Sequence, residues 1–385
     1  MKIGIIGSGP SGLYLSIFLK IKHPESEVVV FEKESKLSKK LYATGNGHCN
    51  LLNKNLTKDK YNHPDFMAPI LEKYGYPFLE GVLKSLGIEL TANGDYVYPL
   101  SESAPSYALY LKKLAEKVGV TFVTETRVLD YKAEEKEIEV KTDKKSFIFD
   151  KLVIATGGKS DPKLGSDGSF YEILKKHGYS IVEPIPGLTP LTLNDKDIKP
   201  LAGVRHKANV KAFLGKEKIF DENGEVLYKN DGISGIVIFN AESAIYRHKN
   251  PKDIELVVDL FPEWSFEELM GRLAHDEALN SKFYLDSYLV EPLQKHILSR
   301  SKGNDALCIA TSMKNLRYSV KDHYGFDYSQ VTIGGLSLNE VDENLSSIKE
   351  KGVYLIGELL DVDGDCGGYN LTWSLLSAII VFKSF

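Results

Sequence analysis

The chain contains few cysteines, no excess of basic residues and no long apolar run, and each absence excludes a class of protein. Its 385 residues include only three cysteines, Cys49, Cys308 and Cys366, and no Cys-x-x-Cys pair. Three scattered cysteines cannot form a disulfide framework, and such sparse usage is typical of the reducing cytoplasm. No His, Cys, Asp or Glu residues follow the spacing of a metal site, so we expect no metal.

Charge and hydropathy exclude two further classes, proteins that bind nucleic acids and proteins that span a membrane. The formal net charge is −5, whereas nucleic-acid binding is driven largely by Lys and Arg that neutralise phosphates. We therefore expect a small-molecule substrate and no nucleic-acid partner. The apolar stretch at residues 371–382 is interrupted by three hydroxyl side chains, and it is shorter than the ~20 residues of a membrane span. Because the first residues also lack the pattern of a secretory signal, we expect a cytoplasmic protein without a membrane span. The sequence indicates no oligomeric state.

The first part of the chain has the pattern of a βαβ dinucleotide-binding unit. An apolar strand (residues 2–6) leads into GSGPSG at positions 7–12, which fits GxGxxG, and an apolar helix follows to Lys20. In such a turn the first glycine permits the tight bend, the second lets the backbone approach a pyrophosphate, and the third lets the helix pack on the strand. The phosphates then lie at the positive N-terminus of the helix.

The second strand of this unit ends in the carboxylate that a dinucleotide site requires. The strand comprises residues 27–31 and is followed by Glu32, twenty residues after Gly12. The fold places an acid here that binds the adenosine ribose hydroxyls. Because a carboxylate at this position disfavours a 2′-phosphate, the pattern predicts an NAD or FAD site rather than an NADP site.

Two later segments favour FAD over NAD. KLVIATGG (151–158) is an apolar strand that ends in Ala155, Thr156 and Gly157, small residues that let a loop pass close to a ligand. GVYLIGE (352–358) is another such strand, and its Glu358 suits the hydroxyls of a ribityl chain, which NAD lacks. The glycine-rich segment that follows opens a helix near Leu371, and amides at a helix N-terminus would stabilise negative charge on a reduced flavin.

The stretch ATGNGHCNLLN (43–53) initially admits three interpretations: a reactive thiol beside an imidazole, half of a metal site, or a backbone loop shaped around a ligand. With FAD as the redox centre we favour the ligand loop. Gly45 and Gly47 would let backbone amides approach the cofactor, and Asn46 and Asn50 would bond it or brace the turn. Cys49 would then be a small packed residue.

Together these motifs resemble those of a family of bacterial flavoproteins that includes aminoacetone oxidases and BaiN-type bile-acid enone reductases. The matching segments run almost from end to end of the chain: GIIGSGPSGLYLSIFL, KKLYATGNGHCNLLN, VIATGG with GSDGSFYEILKKHG, DGISG, VTIGG and GELLDVDGDCGGYNLTW. The resemblance implies an α/β fold with a Rossmann-like FAD-binding domain of glutathione-reductase type. It also implies that an inserted β-barrel and helical region splits this domain in sequence and covers the flavin.

Carried over residue by residue, the resemblance implies ligand roles along the chain. It assigns the pyrophosphate to the first glycine turn, the adenosine ribose to Glu32, the adenine to the backbone of Val128, and the ribityl-flavin side to Lys40 and the segments around Gly45 and Glu358. Together with the motifs above, the predicted cofactor-binding residues are Gly7, Gly9, Pro10, Ser11, Gly12, Glu32, Lys33, Lys40, Thr44, Gly45, Asn46, Gly47, Asn50, Val128, Ala155, Thr156, Gly157, Gly357, Glu358, Gly367, Gly368, Tyr369 and Asn370.

The chain departs from the family pattern at two places. His48 stands where an arginine is usual, which could alter the charge preference for substrate. Residues 377–379 read Ser-Ala-Ile where the family often has Ser-Gly, a difference expected to affect packing only.

The middle of the chain changes pattern after Pro190. Residues 204–214 alternate with period two and Asn223-Gly224 is a hairpin signal, so we predict a β-barrel-like domain over residues 191–260. A capping box at residues 265–268 opens a mainly helical subdomain over residues 261–324. The FAD-binding domain would then comprise residues 1–190 and 325–385.

The predicted function is an FAD-dependent oxidoreductase that transfers hydride between flavin N5 and a small or steroid-like substrate, with NAD(P)H as transient reductant. No second GxGxxG is present for a nicotinamide cofactor. The alternatives are an aminoacetone-type amine oxidase that uses O₂, an RNA-modifying flavoprotein and a non-catalytic sensor. The flavin is the reactive group; His48, Ser234 and Tyr369 are weak catalytic candidates, and a Cys49–Cys366 pair stays open.

Overall fold

The computed structural model describes residues 1–248, 251–279 and 284–385, with all side chains in these ranges except those of Asn46 and Leu279. In chain order the strands are β1 (Lys2–Ile6), β2 (Glu27–Phe31), β3 (Leu52–Asn53), β4 (Leu90–Asn93), β5 (Tyr96–Pro99), β6 (Thr121–Val123), β7 (Val128–Ala133), β8 (Ile138–Thr142), β9 (Ser146–Phe149), β10 (Lys151–Ile154), β11 (Ile181–Gly187), β12 (Leu191–Leu193), β13 (Arg205–Leu214), β14 (Glu217–Tyr228), β15 (Gly232–Ser234), β16 (Ile254–Asp259), β17 (Leu316–His323), β18 (Val331–Leu336) and β19 (Val353–Leu355). The helices are α1 (Pro10–Lys22), α2 (Lys39–Ala43), α3 (Pro64–Lys73), α4 (Tyr76–Ser85), α5 (Ala104–Val118), α6 (Ser169–Lys176), α7 (Ile236–Tyr246), α8 (Phe266–Leu279), α9 (Glu291–Arg300), α10 (Ala306–Lys314) and α11 (Tyr369–Ser384).

The chain divides into two compact units. The first comprises Met1–Pro186 and Gln330–Phe385, and the second comprises Gly187–Ser329. The domain boundaries at 190, 260 and 324 that we inferred from the sequence stay a prediction. Across the described ranges, no helix combines the length and the apolar content that crossing a membrane requires.

The first unit is built on a five-stranded parallel sheet with the order β19-β10-β1-β2-β6. Strands β1 and β2 are buried beyond their first residue, as expected for a parallel sheet covered on both faces. Helix α1 is buried from Ser11 to Leu19 and packs against α5 and α11. The predicted Rossmann-like α/β fold is confirmed. Because β1 lies between β2 and β10, the residues that follow these strands meet at one edge of the sheet.

Three smaller sheets complete the first unit: β3-β5-β4, β7-β8-β9 and β11-β18. The β7-β8-β9 meander packs on the main sheet through aromatic contacts. The rings of Phe147 and Phe149 lie edge-on to Phe31, at centroid distances of 5.0 and 5.8 Å. These contacts hold β9 against β2.

The second unit is a closed barrel with the strand order β12-β15-β14-β13-β16-β17. Along β13 the alternate residues Ala208, Val210 and Ala212 are buried, as the period-two pattern predicts. The inserted barrel that the family resemblance implies is therefore confirmed.

The predicted hairpin at Asn223-Gly224 is wrong. Both residues lie inside β14, paired with Asn209 and Ala208 of β13, and the turn between these strands falls at residues 215–216. Gly224 serves a different purpose: a Cβ at this position would lie 2.6 Å from Cβ of Val237 in α7. A glycine within a strand often marks such a close approach of another element.

In residues 261–324 the predicted capping box is present, but the helical structure does not continue to the end of the segment. Ser265 and Glu268 form the reciprocal capping box, with N–H to side-chain distances of 2.8 and 3.1 Å. Five leucines of this region are buried: Leu269, Leu273, Leu285, Leu289 and Leu293. Residues 316–323 are not helical, however, but form strand β17, whose alternate residues are buried. Its period-two alternation is typical of a strand, whereas the segments before it have helical patterns.

Candidate functional site

In the glycine turn between β1 and α1, two glycines have no space for a Cβ atom and one glycine does. A Cβ at Gly7, where φ is +104°, would overlap the carbonyl oxygen of Ala155, and a Cβ at Gly12 would overlap the carbonyl oxygen of Gly7. A Cβ at Gly9 would meet no atom within 4 Å. Gly9 is also the N-cap of α1, and no side chain caps this helix end. The open glycine and the uncapped amides form a cradle for an anionic group.

Glu32, directly after β2, is oriented by backbone and side-chain donors. Ser8 donates to Glu32 Oε2 from its hydroxyl (2.5 Å) and its N–H (3.3 Å), and the N–H of Glu34 donates to Oε1 at 2.9 Å. A carboxylate offers about four acceptor positions, so the described contacts leave one of them, on Oε1, for a ligand hydroxyl.

The segment after β10 forms the opposite wall of the same groove. The N–H of Ala155 still donates to Ile6 in the sheet, at 2.8 Å, and Gly157 then adopts φ +72°. The hydroxyl of Thr156 is buried and has no partner among the described residues. A buried hydroxyl without a hydrogen bond costs about 1–3 kcal/mol, and a ligand in the groove is a natural partner for it.

Glu358, shortly after β19, is held by residues from three distant segments. Lys40 Nζ lies 2.8 Å from Oε2, the Ser160 hydroxyl donates to Oε1 at 2.7 Å, and the N–H of Thr332 donates to Oε1 at 2.9 Å. Lys40 also contacts Ser160. As at Glu32, one acceptor position remains on the carboxylate.

These elements enclose one pocket at the carboxyl edge of the parallel sheet. The groove is partly open, and its empty volume, including the solvent space at its mouth, is about 1030 Å³. The predicted residues that line it are Gly7, Gly9, Pro10, Ser11, Glu32, Lys33, Lys40, Val128, Ala155, Thr156, Gly157 and Glu358. Among the described side chains, Gly12 and the other predicted residues of the loops 44–50, 357 and 367–370 do not line it. Their roles as cofactor ligands stay predictions.

The loop after α2 is compact. Residues 44–47 form one turn of 3₁₀ helix, and Gly45, Gly47 and Cys49 have positive φ. Cys49 is fully buried in the core, and burial raises the pKa of its thiol to about 12. The His48 side chain is 61% exposed, with Nδ1 3.9 Å from Glu102. The side chain of Asn46 lies outside the described residues.

The loop before α11 is braced against the segment around β3. Asn53 donates to the carbonyl of Gly367 at 2.9 Å, and the hydroxyl of Tyr369 donates to the carbonyl of Asn55 at 3.0 Å. Tyr369 is only 4% exposed, so this catalytic candidate serves as a brace. Asn370 likewise bonds the backbone of Gly364. Helix α11 begins at Tyr369 without a side-chain cap.

Behind this loop, α11 fixes the position of Gly357. The N–H of Gly357 donates to Ser377 Oγ at 3.1 Å, and the indole of Trp373 donates to its carbonyl at 3.0 Å. Ser377 matches the family pattern, which the chain leaves only at the next residue, Ala378, and this contact gives Ser377 a positioning role. Cys49 and Cys366 form no disulfide.

Several residues that shape the pocket were missed by sequence reasoning. Lys36, Ser38, Arg127 and Asp167 line it, and Ser160 and Thr332 hold Glu358. The hydroxyl of Ser38 is buried without a described partner, like that of Thr156. The glycines around Asp167 were a visible signal, but their meaning depends on which strand ends lie nearby.

The second unit contains Ser234 and a buried acid. Ser234 ends β15 and is 7% exposed. Glu242 of α7 has no exposed surface and bonds His323 Nδ1 at 3.0 Å. Burial raises the pKa of Glu242 to about 6, although His323 opposes the shift. The ring of Tyr246 stacks on His323 at 4.0 Å. Neither Glu242 nor His323 carries a sequence motif.

Among the described residues, no group of three or more His, Cys, Asp or Glu is arranged to hold a metal ion.

Comparisons with known proteins agree with this architecture. Residues 1–383 match the family model described as HI0933-like protein Rossmann domain. A 3-dehydro-bile acid delta(4,6)-reductase of Clostridium scindens is 32% identical, over 97% of this chain and 96% of that protein. A ribosomal RNA dihydrouridine synthase of Escherichia coli is 28% identical, over 97% of this chain and 95% of that protein.

A solved structure shares the fold at much lower sequence identity. The 3-ketosteroid-delta4-(5alpha)-dehydrogenase of Rhodococcus jostii superimposes with a TM-score of 0.54 and 13% identity, over 99% of this chain and 96% of that chain. The family match over nearly the whole chain and the geometry of the sheet edge lead to one conclusion. The chain belongs to the HI0933-like Rossmann family and is an FAD-dependent oxidoreductase.

Proposed function

We propose that this protein binds FAD in the groove at the end of β1 and uses it to reduce a carbon–carbon double bond conjugated to a carbonyl group. The favoured substrate is a steroid-like or other small enone, and NADH or NADPH serves as a transient reductant. The observation that carries the proposal is the similarity, over almost all of both chains, to a reductase whose name specifies bile-acid double bonds.

The arrangement of the groove supports an extended dinucleotide. The uncapped N-terminus of α1 and the open Gly9 suit the pyrophosphate. Glu32 suits the adenosine ribose, since one acceptor position remains on its carboxylate. Glu358, held by Lys40, suits the hydroxyls of a ribityl chain in the same way. The segments around Gly45 and Gly367 would complete the flavin end.

The chemistry divides between cofactor and protein. FAD, when bound and reduced, supplies the hydride that adds to the substrate carbon farther from the carbonyl. The chain's own residues orient the cofactor, and the ion pair of Lys40 with Glu358 holds that carboxylate in position. His48 stands exposed on the loop beside the predicted flavin end and is a candidate for contact with substrate.

A second candidate function rests on the similarity to ribosomal RNA dihydrouridine synthases. Formation of dihydrouridine saturates a ring double bond that is also conjugated to a carbonyl, so both candidate reactions use the same hydride chemistry. The net charge of −5 favours the small substrate, because RNA binding relies largely on basic surfaces.

Anaerobic acceptor screening separates these functions. The full-length holoprotein is reduced with NADH or NADPH, and the visible flavin band is followed after addition of a 3-keto-4,6-diene steroid, ribosomal RNA or O₂. Rapid reoxidation by the steroid supports the proposal. Reoxidation by RNA, with dihydrouridine formed in the product, supports the second function. Reoxidation by O₂ alone contradicts both and indicates an oxidase.

A further inference from the structure

Three charged residues meet above the end of β1. Asp167 Oδ2 lies 2.6 Å from Lys33 Nζ and 3.6 Å from Arg127 Nη1. Lys33 follows β2, whereas Asp167 belongs to the loop after β10, and β1 lies between these two strands in the sheet. The ion pair must therefore span the carboxyl end of β1, where the glycine turn lies. All three residues line the pocket.

The two cations flank the predicted adenosine contacts. Lys33 directly follows Glu32, the predicted ribose acid, and Arg127 directly precedes Val128, the predicted adenine contact. Basic side chains beside the adenosine ribose are what a dinucleotide fold uses to accept a 2′-phosphate, and Arg and Lys bind phosphate through charge-assisted hydrogen bonds. If Lys33 and Arg127 were the only charged residues at this end of the groove, it would suit a ligand with a 2′-phosphate, such as NADP.

Asp167 is fixed in position as the partner of these cations. The N–H and the hydroxyl of Ser169 donate to its Oδ1 at 3.0 and 2.6 Å, and the loop is tied back by Ser166, whose hydroxyl donates to the carbonyl of Gly158 at 3.1 Å. Burial raises the pKa of Asp167, but the bonds from Lys33 and Ser169 outweigh burial and lower the pKa to about 2. The carboxylate is therefore charged at any pH relevant to function.

We propose that Asp167 is a specificity-determining residue: its carboxylate occupies Lys33 and Arg127 where a 2′-phosphate would otherwise bind, and so restricts the groove to dinucleotides with a free ribose. This inference rests on the proposed FAD site. It implies that NADPH, if it serves as reductant, is kept out of the groove in two ways. Bound FAD occupies the groove, and the negative charge of Asp167 disfavours the 2′-phosphate of NADPH.

The test measures displacement of FAD from the full-length holoprotein by ADP and by 2′-phosphoadenosine 5′-diphosphate, followed as the recovery of flavin fluorescence. In the wild type, ADP should be the better competitor. Asp167→Asn frees both cations, so the ratio of the two affinities should move ~10-fold toward the 2′-phosphate, which equals about 1.4 kcal/mol. The matched control is Glu172→Gln, which removes an exposed carboxylate of α6 that pairs with Lys175 and should leave the ratio unchanged.

A second variant keeps the test valid if Asp167→Asn fails to fold. Asp167→Ser keeps an oxygen that can accept the Ser169 N–H and should shift the ratio in the same direction. Adding Lys33→Gln to Asp167→Asn should reverse the gain.

The proposal for Asp167 is overturned if ADP displaces FAD from the wild type but the ratio does not move in either variant. Failure of both nucleotides to displace FAD from the wild type would instead overturn the FAD site itself, and with it this inference.

Discussion

The two ends of the groove are built from different kinds of contact. At the adenosine end, a glycine turn and Glu32 come from one short βαβ unit, and the cradle is made largely of backbone. At the other end, Glu358 is fixed by Lys40, Ser160 and Thr332, which come from three other parts of the chain. The first end therefore depends on backbone space, whereas the second depends on a network of charges and hydrogen bonds.

The largest expected effect comes from the glycine turn. Gly7→Ala places a Cβ against the carbonyl of Ala155 at φ +104° and should lower the free energy of unfolding by ~3 kcal/mol, with loss of FAD. Gly9→Ala is the matched variant, because its Cβ meets no protein atom within 4 Å. It should leave the unfolding of the apoprotein unchanged and weaken FAD binding ~100-fold, or by about 2.7 kcal/mol. Urea unfolding and FAD titration measure both quantities; equal FAD affinity in Gly9→Ala and wild type contradicts the cradle.

A smaller effect is expected at the side-chain end. Glu358→Gln keeps the shape of the side chain but removes the charge that pairs with Lys40, so FAD affinity should fall ~10-fold. Glu80→Gln is the control, since Glu80 pairs with Lys84 within α4 and is not among the residues that line the pocket. FAD titration of both variants checks this, and a loss of the same size in the two variants would remove the special role of Glu358.

A long-range network elsewhere in the first unit gives a pH-dependent prediction. His177 bonds Asp130 and Glu350, each at 2.9 Å. Burial lowers the pKa of His177, but the two carboxylates outweigh it and the pKa is raised. Since the unfolded pKa is about 6.5, this stabilisation is complete below that pH and is lost as the pH rises through the folded-state pKa.

The expected size is on the order of 1 kcal/mol, measured by urea unfolding of the apoprotein across neutral to alkaline pH. The difference in unfolding free energy between wild type and His177→Gln should shrink as the pH rises. A difference that stays constant or grows contradicts the assignment.

The smallest effect on cofactor binding and turnover is predicted at Cys49. Its buried thiol has a pKa of about 12 and is protonated at neutral pH, so it cannot act as a nucleophile. Cys49→Ala should retain FAD and keep turnover within a few-fold, with a stability loss of about 1–2 kcal/mol from the cavity. Complete loss of turnover with flavin still bound would show that the thiol is catalytic.

The same contrast explains what the sequence could and could not predict. The β1-α1-β2 unit follows local rules of strand, glycine turn and helix, and the structure places its elements where the pattern does. Asn223-Gly224 has the local signature of a hairpin, yet both residues pair with β13 inside β14, and the glycine instead leaves room for α7. Asp167 and Thr332 could not be assigned, because their roles depend on strand order. Local chemistry predicts a site only where neighbours in space are also neighbours in sequence.

We propose that the groove beside Gly9 and Glu32 holds FAD. The most direct measurement is a fluorescence titration of the full-length apoprotein with FAD, repeated with ADP and with FMN as competitors. We predict one FAD per chain, displaced by ADP and only weakly by FMN, because both the adenosine end and the ribityl end contribute to binding. Saturable FAD binding that ADP does not affect, or no FAD binding at all, would contradict the claim.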